Sequence, residues 1–178
     1  MGSEMLRTLY KGMKIVGDGA GRRFALVRTW QSSFEEPKNR LAWIGLNPAP
    51  LGKNDSCPTH TKMAHISQVE GFDSFVVVNL YSWVSSRPSE LNNVDSPIGS
   101  QNDKWICEEL RKANCIVCAW GDGRGINGFG KRVRSVLKLL KGRRLYCVER
   151  TTKGNPVHVS RINLAARLHI WENVFCPD

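Results

Sequence analysis

Residues 75–80 (FVVVNL) and 115–120 (CIVCAW) are short, nearly unbroken apolar runs. A strand of this kind has no polar face to turn toward water, so it needs cover on both sides, as parallel strands of α/β proteins have. The segments around them alternate accordingly. Residues 102–112 place Trp105, Ile106 and Leu110 at helical spacing, with Asn102 or Asp103 as cap and Arg111 and Lys112 in the last turn. Val133, Val136, Leu137 and Leu140 repeat the helical pattern, Gly142 closes it, and residues 145–148 supply a further strand. Upstream, 59–69 reads as a helix with Met63, Ile66 and Val69 on one side and Gly71 as its stop. Strands at 23–30 and 41–46, joined by a polar stretch with Ser32, Ser33, Glu35, Glu36, Pro37 and Asn39, read as a hairpin.

This order predicts an α/β fold, a three-layer sandwich with a mostly parallel four-stranded central sheet plus an N-terminal antiparallel hairpin strand. The 178 residues suit a single α/β domain over 1–178, with its core at about 23–160. The longest apolar runs are about six residues, against the roughly 20 that cross a bilayer, so no membrane segment is expected. The start through Lys14 lacks the apolar stretch of a signal peptide, which predicts a cytoplasmic protein. Six cysteines are too sparse for a disulfide scaffold, and Cys107, Cys115, Cys118 and Cys147 fall in segments that read as buried. The Cys115/Cys118 spacing reads as core thiols rather than as a redox or zinc pair. Cys57, His60 and His65 lack a fourth ligand at a recognisable spacing. Neither a metal nor a cofactor is expected.

Charge gives the first functional clue. Lysine and arginine total 26 against 16 acidic residues, a net charge of +10. The excess is uneven: residues 101–178 hold 15 basic and 7 acidic side chains, while the first hundred hold 11 and 9. The cluster from Lys131, Arg132 and Arg134 through Arg150 faces a single acid, Glu149. Such a balance favours a nucleic-acid partner, DNA before RNA, although a solvated helix face would give the same run. Nothing in the sequence sets the oligomeric state.

Ligands of open α/β sheets bind beyond the carboxyl ends of the strands, and there the predicted loops are polar. They carry Asn47-Pro48-Ala49-Pro50, Asn79, Trp120-Gly121-Asp122-Gly123 and residues 151–160. Each has an ordinary structural reading beside a functional one. Asn47 before Pro48 is a common turn pair, Asn79 can satisfy loop backbone, Trp120 can be core, and His158 can be a surface histidine. Asp122 can cap the segment that follows it or act as a base. The glycines from Gly121 to Gly130 form either a flexible loop or a phosphate cradle ahead of Lys131.

Several motifs stand in order over roughly residues 23–160: Arg28-Thr29-Trp30, Gly45-Leu46-Asn47-Pro48, Val76-Val77-Val78-Asn79-Leu80, Gly99-Ser100-Gln101-Asn102-Asp103, Ala119-Trp120-Gly121, and Thr152-Lys153-Gly154-Asn155-Pro156-Val157-His158. Together they resemble an uncharacterised bacterial and phage family, a domain of unknown function. More distantly, the same order is similar to the uracil-DNA glycosylase superfamily. That resemblance implies a glycosylase-like hydrolase acting on a base in DNA or on a related nucleotide, with a uracil-DNA glycosylase-like fold. It puts Asn47 at the catalytic turn with Pro48 beside it, Asn79 at the base reader, Trp120-Gly121 at the WG turn, and His158-Val159-Ser160 at the His-Pro-Ser loop. Catalysis would fall to Asn47, His158 and Asp122, base contact to Pro48, Asn79, Trp120, Gly121 and Ser160, and phosphate contact to Lys131, Arg132, Arg134 and Lys153. Val159 replaces the proline of that loop, Ala49 and Pro50 stand where an aromatic often stacks, and Asn47 stands in place of Asp. Asparagine is no general base, so the implied chemistry rests on a positioned water and on electrostatics. The alternative is a catalytically inactive module of the same fold that binds nucleic acid or another partner.

Overall fold

A computed structural model describes residues 12–30, 38–53 and 57–171. Among them, seven strands form one mixed sheet: β1 (Gly12–Gly17), β2 (Arg23–Thr29), β3 (Arg40–Gly45), β4 (Ser74–Asn79), β5 (Cys115–Cys118), β6 (Tyr146–Cys147) and β7 (His169–Ile170). Their spatial order is β1-β2-β4-β3-β5-β6-β7. Among the described residues the α-helices are α1 (Pro58–Val69), α2 (Asn102–Arg111) and α3 (Phe129–Leu139), with shorter helical turns at Pro88–Asn93 and Val159–Arg161. β3 runs parallel to both β4 and β5, and β5 runs parallel to β6. The β1–β2, β2–β4 and β6–β7 pairs are antiparallel.

Every residue of β3 and β4 is buried, as continuous apolar runs require. Because successive side chains leave a strand on opposite faces, the two strands feed two cores. Leu41, Trp43, Phe75 and Val77 pack with Met63 and Ile66 of α1 on one face. Ala42, Ile44, Val76 and Val78 pack on the other with Ile106 and Leu110 of α2 and Val133 and Val136 of α3. Polar bonds pin these layers: Trp43 Nε1 donates to Ser67 Oγ of α1 at 3.1 Å, and Arg40 meets Glu109 of α2 at 3.1 Å with both side chains buried.

The expected hairpin lies elsewhere. β2 and β3 do not pair, because β4 lies between them. The hairpin partner of β2 is β1, and the turn between them is built on Asp18, which accepts from the amides of Ala20 at 2.8 Å and Arg22 at 3.1 Å. Gly19 and Gly21 take positive φ there. Residues 31–37 of the polar stretch lie outside the described residues. A fully buried β4 needs two neighbouring strands, which the inserted position supplies.

Other expectations shift locally. Val69 and Cys107 are exposed rather than buried. Neither Asn102 nor Asp103 caps α2, whose preceding residue is Gln101, since Asn102 spends its amide group on the backbone after β4. The strand expected over 115–120 ends at Cys118, though Ala119 and Trp120 stay buried, and the strand expected over 145–148 shortens to two residues. Among the described residues, no helix is long and apolar enough to cross a membrane.

Candidate functional site

The loops that leave β3, β4, β5 and β6 meet beyond the ends of those strands and enclose two joined cavities. An inner chamber of about 210 Å³ lies against β3, β4 and α1, and an outer cleft of about 580 Å³ lies against the loops after β5 and β6. Leu46, Asn47, Pro88 and His158 line both. Asn47 and His158 therefore form a polar waist between chamber and cleft. One water needs only about 10–15 Å³, so the chamber has room for a ring-sized group.

Asn79 ends β4 and is only 5% exposed, yet its carboxamide has no hydrogen-bond partner among the described residues while it lines the inner chamber. The amide opens onto the chamber and is left to bond whatever enters it. Gly45 makes room for it: the two residues pair across the parallel β3–β4 ladder, and a Cβ at position 45 would sit 2.5 Å from Asn79 Oδ1. The peptide behind Asn79 is held from the other side. Asn102 Nδ2 donates to the carbonyls of Asn79 at 3.0 Å and Leu80 at 3.2 Å, and Arg132 Nε donates to Leu80 O at 2.6 Å.

Asn47 uses Nδ2 to tie its own loop to the next one, donating to Ser85 O at 2.8 Å and Pro48 O at 3.3 Å. The turn reading of Asn47 is thus satisfied by the amide nitrogen, and Oδ1 stays available as an acceptor. Pro48 is buried, lines the chamber, and accepts Ser85 N at 2.9 Å.

His158 Nδ1 lies 3.3 Å from the Ser160 amide, which can only donate, and 2.9 Å from Ser160 Oγ. Nδ1 is therefore the acceptor, and the neutral ring carries its hydrogen on Nε2. Burial, with Arg161 nearby, lowers the imidazole pKa below its ordinary value and keeps the ring neutral. Ser160 thus orients the imidazole. Gly121 permits the close approach of this segment: it has φ +75°, donates to Pro156 O at 2.9 Å, and a Cβ there would come 3.3 Å from His158 Cβ.

Asp122 lines the cleft with its Oδ1 accepting from Thr151 Oγ1 at 2.7 Å and Asn155 Nδ2 at 2.9 Å. Burial opposes its charge, but those two bonds and the nearby Lys153 and Arg124 outweigh that cost and lower its pKa. It anchors the 151–155 loop and is a poor proton acceptor near neutrality. Trp120 lines the cleft too, but it is 1% exposed and packs edge-on against Trp171 at 5.3 Å, so it offers no open face.

A family model described as "Protein of unknown function (DUF1643)" matches residues 23–158. The chain belongs to that family. The matched stretch runs from the first residue of β2 to His158 and so includes Asn47, Asn79, Gly121 and Asp122. No curated protein and no solved structure matches the chain.

The expected basic set divides. Lys131 and Arg134 are exposed on α3 but line neither cavity, and Lys153 is exposed at the tip of the loop that Asp122 anchors. Arg132 is withdrawn from phosphate contact: it is 4% exposed, bonds Leu80 O, and pairs with Asp103 at 2.7 Å. Helical spacing puts it on the same buried side as Val133 and Val136, which a count of charges does not register.

Several chamber and cleft residues were given no site role by the sequence, among them Arg23, Arg124, Arg161 and His60, which was weighed only as a metal ligand. His60 had a signal in its spacing from Met63 and Ser67, which puts all three on the buried side of α1. Burial, with Arg28 and Arg23 adding to it, lowers its pKa to about 4. Among the described residues, no cluster of His, Cys, Asp or Glu suits a metal ion. Burial raises the Cys115 thiol to about 11 and pushes the Cys118 and Cys147 thiols up as well, so none of them is a ready nucleophile at neutral pH.

Proposed function

We propose that the protein is a glycosylase-like hydrolase that removes a base, ordinary or modified, from DNA or from a related nucleotide, on a uracil-DNA glycosylase-like fold. The observation that carries this reading is the unpartnered carboxamide of Asn79, buried at the wall of a ring-sized chamber with Gly45 clearing its space. An amide offers an acceptor and donors side by side, which is the complement of a pyrimidine edge. A base reaches such a chamber only after leaving the stack.

The roles at the waist follow from which atoms are left over. His158 donates from Nε2 toward the base oxygen, where negative charge grows as the N-glycosidic bond breaks and its electron pair leaves with the base. Asn47 accepts a hydrogen from a water through Oδ1 and points that water's lone pair at the oxocarbenium carbon. The water's proton passes to solvent, because an amide cannot keep it. The rate then rests on position and electrostatics, which predicts a slow enzyme. The absence of a general base at position 47, and the ties on Asp122, also favour a second reading, a binding module of the same fold that has no turnover.

The test is mass spectrometry of free bases released from single- and double-stranded oligonucleotides carrying normal, deaminated and hydroxymethylated pyrimidines. Asn47→Ala, Asn79→Ala and His158→Ala are assayed alongside. Release from at least one substrate, abolished by the Asn47 and His158 substitutions, is the expected result. Binding without release from any substrate would leave the inactive module as the account.

A further inference from the structure

Three arginines from two connections converge on the outer cleft: Arg124 after β5, and Arg150 and Arg161 between β6 and β7, on either side of His158. All three are exposed. Some arginines elsewhere are paired with acids, as in the Arg22–Asp18, Arg40–Glu109 and Arg132–Asp103 pairs. Among the described residues, none of the three cleft arginines has such a partner. Arg150 donates from Nη2 to Ile170 O at 3.2 Å and lies close enough to the Cys147 thiol to lower its pKa against the effect of burial. Asp122, the acid on the cleft wall, attracts Arg124 but forms no ion pair with it, and its Oδ1 is bonded to Thr151 and Asn155, so one carboxylate faces three guanidinium groups.

We propose that Arg124, Arg150 and Arg161 form a phosphate subsite for the nucleotide whose base occupies the inner chamber. This rests on the base-site reading above, since the cleft opens onto the chamber at Asn47 and His158. A guanidinium presents paired donors that match phosphate oxygens. Stacking on a large ring does not compete as the mode of recognition, because among the described residues Trp120 is the one Phe, Tyr or Trp that lines the cleft, and it is buried. The α3 face is the wrong place for this contact. α3 leads from the end of β5 back toward the start of β6, away from the cleft, and neither Lys131, Arg134 nor Lys138 lines a cavity.

The phosphate has two possible sources, a polynucleotide strand or a free nucleotide. Fluorescence anisotropy with a labelled single-stranded oligonucleotide containing one deoxyuridine, titrated with salt, reads the first. Competition by deoxyuridine monophosphate and by deoxyuridine reads the second. Arg124→Gln/Arg150→Gln/Arg161→Gln is compared with Lys131→Gln/Arg134→Gln/Lys138→Gln, all at exposed positions. The cleft triple is expected to weaken oligonucleotide binding at least about tenfold and to lower the salt slope by about 2, since each phosphate contact on a single strand contributes about 0.7. The α3 triple is expected to change both much less. If the monophosphate competes better than the nucleoside in wild type and only equally in the cleft triple, a single nucleotide suffices; if the two compete equally in wild type, the strand is the source. An α3 triple that loses as much as the cleft triple, a cleft triple that binds like wild type, or no salt-dependent binding of any probe would overturn the subsite. An oligonucleotide with an abasic position separates the two readings. If Asn79→Ala leaves the preference for deoxyuridine over the abasic site unchanged while the cleft triple still governs affinity, the base site falls and the phosphate subsite stands.

Discussion

Asn79 and Gly45 face each other across the parallel β3–β4 ladder, and the carboxamide oxygen of Asn79 occupies space that any Cβ at position 45 would claim. Gly45→Ala is therefore expected to turn the amide out of its orientation while the sheet persists. Overpacking of this size costs about 1–3 kcal/mol, visible as a lower Tm. Base release should fall about tenfold or more, the equivalent of one well-made hydrogen bond in the transition state. Melting curves and single-turnover release rates on the same variant check both. Unchanged release with a lowered Tm would show that Asn79 is not the base reader.

The α/β class was legible because periodicity reports burial, and runs such as 75–80 leave few alternatives. Strand order was not legible. Nothing local in 23–30 or 41–46 says that β4 inserts between them, since that depends on a strand that begins only at Ser74, beyond an intervening helix. At the site, Asn47, Asn79 and His158 stood out in the polar segments that follow strands and by the family resemblance, and the structure brings them to one pair of cavities. Arg132 was misread because its charge suggested solvent, while its buried guanidinium bonds a carbonyl at Leu80 and an acid at Asp103. Asn102 was read as a cap for the same reason: a short polar side chain at a helix start usually serves the helix, and this one serves β4.

Asp122 offers a separation of structure from chemistry. Asp122→Asn retains an acceptor oxygen for Thr151 and Asn155, whereas Asp122→Ala strands both donors, one of them on the buried Asn155. The alanine variant is expected to lose about 1–3 kcal/mol and much of its activity through a loosened 151–155 loop. The asparagine variant should keep most of both. Thermal melts together with release rates from pH 5 to 8 decide it, because a true general base at position 122 would make the asparagine variant inactive.

His158 carries a tautomer prediction. With Nδ1 accepting from the Ser160 amide, nitrogen-15 NMR should find the neutral ring with its hydrogen on Nε2. Burial, with Arg161 second, holds the pKa below 6.5. Release that needs the neutral ring should stay level as pH falls to 6.5 and decline only below it. A decline centred above 6.5 would assign the limb to another group.

His60 makes stability itself depend on pH. It is 7% exposed, and burial with Arg28 and Arg23 lowers its pKa from 6.5 to about 4. In the unfolded chain the ring binds a proton as pH falls through 6.5, while in the folded chain it stays neutral until about 4. Below 6.5 the unfolded state therefore holds more protons, and stability falls with pH. The contribution is complete above the unfolded value, shrinks through the window down to about 4, and amounts to about 3 kcal/mol across it. His158 shifts in the same direction and adds to the wild-type slope, so the informative quantity is the difference between wild type and His60→Gln. Urea unfolding at pH 7, 6, 5 and 4.5 should show that difference changing steadily through the window, with the variant losing less stability than wild type on acidification. Parallel pH dependences for the two proteins would mean that His60 titrates in the folded protein as it does in the unfolded chain.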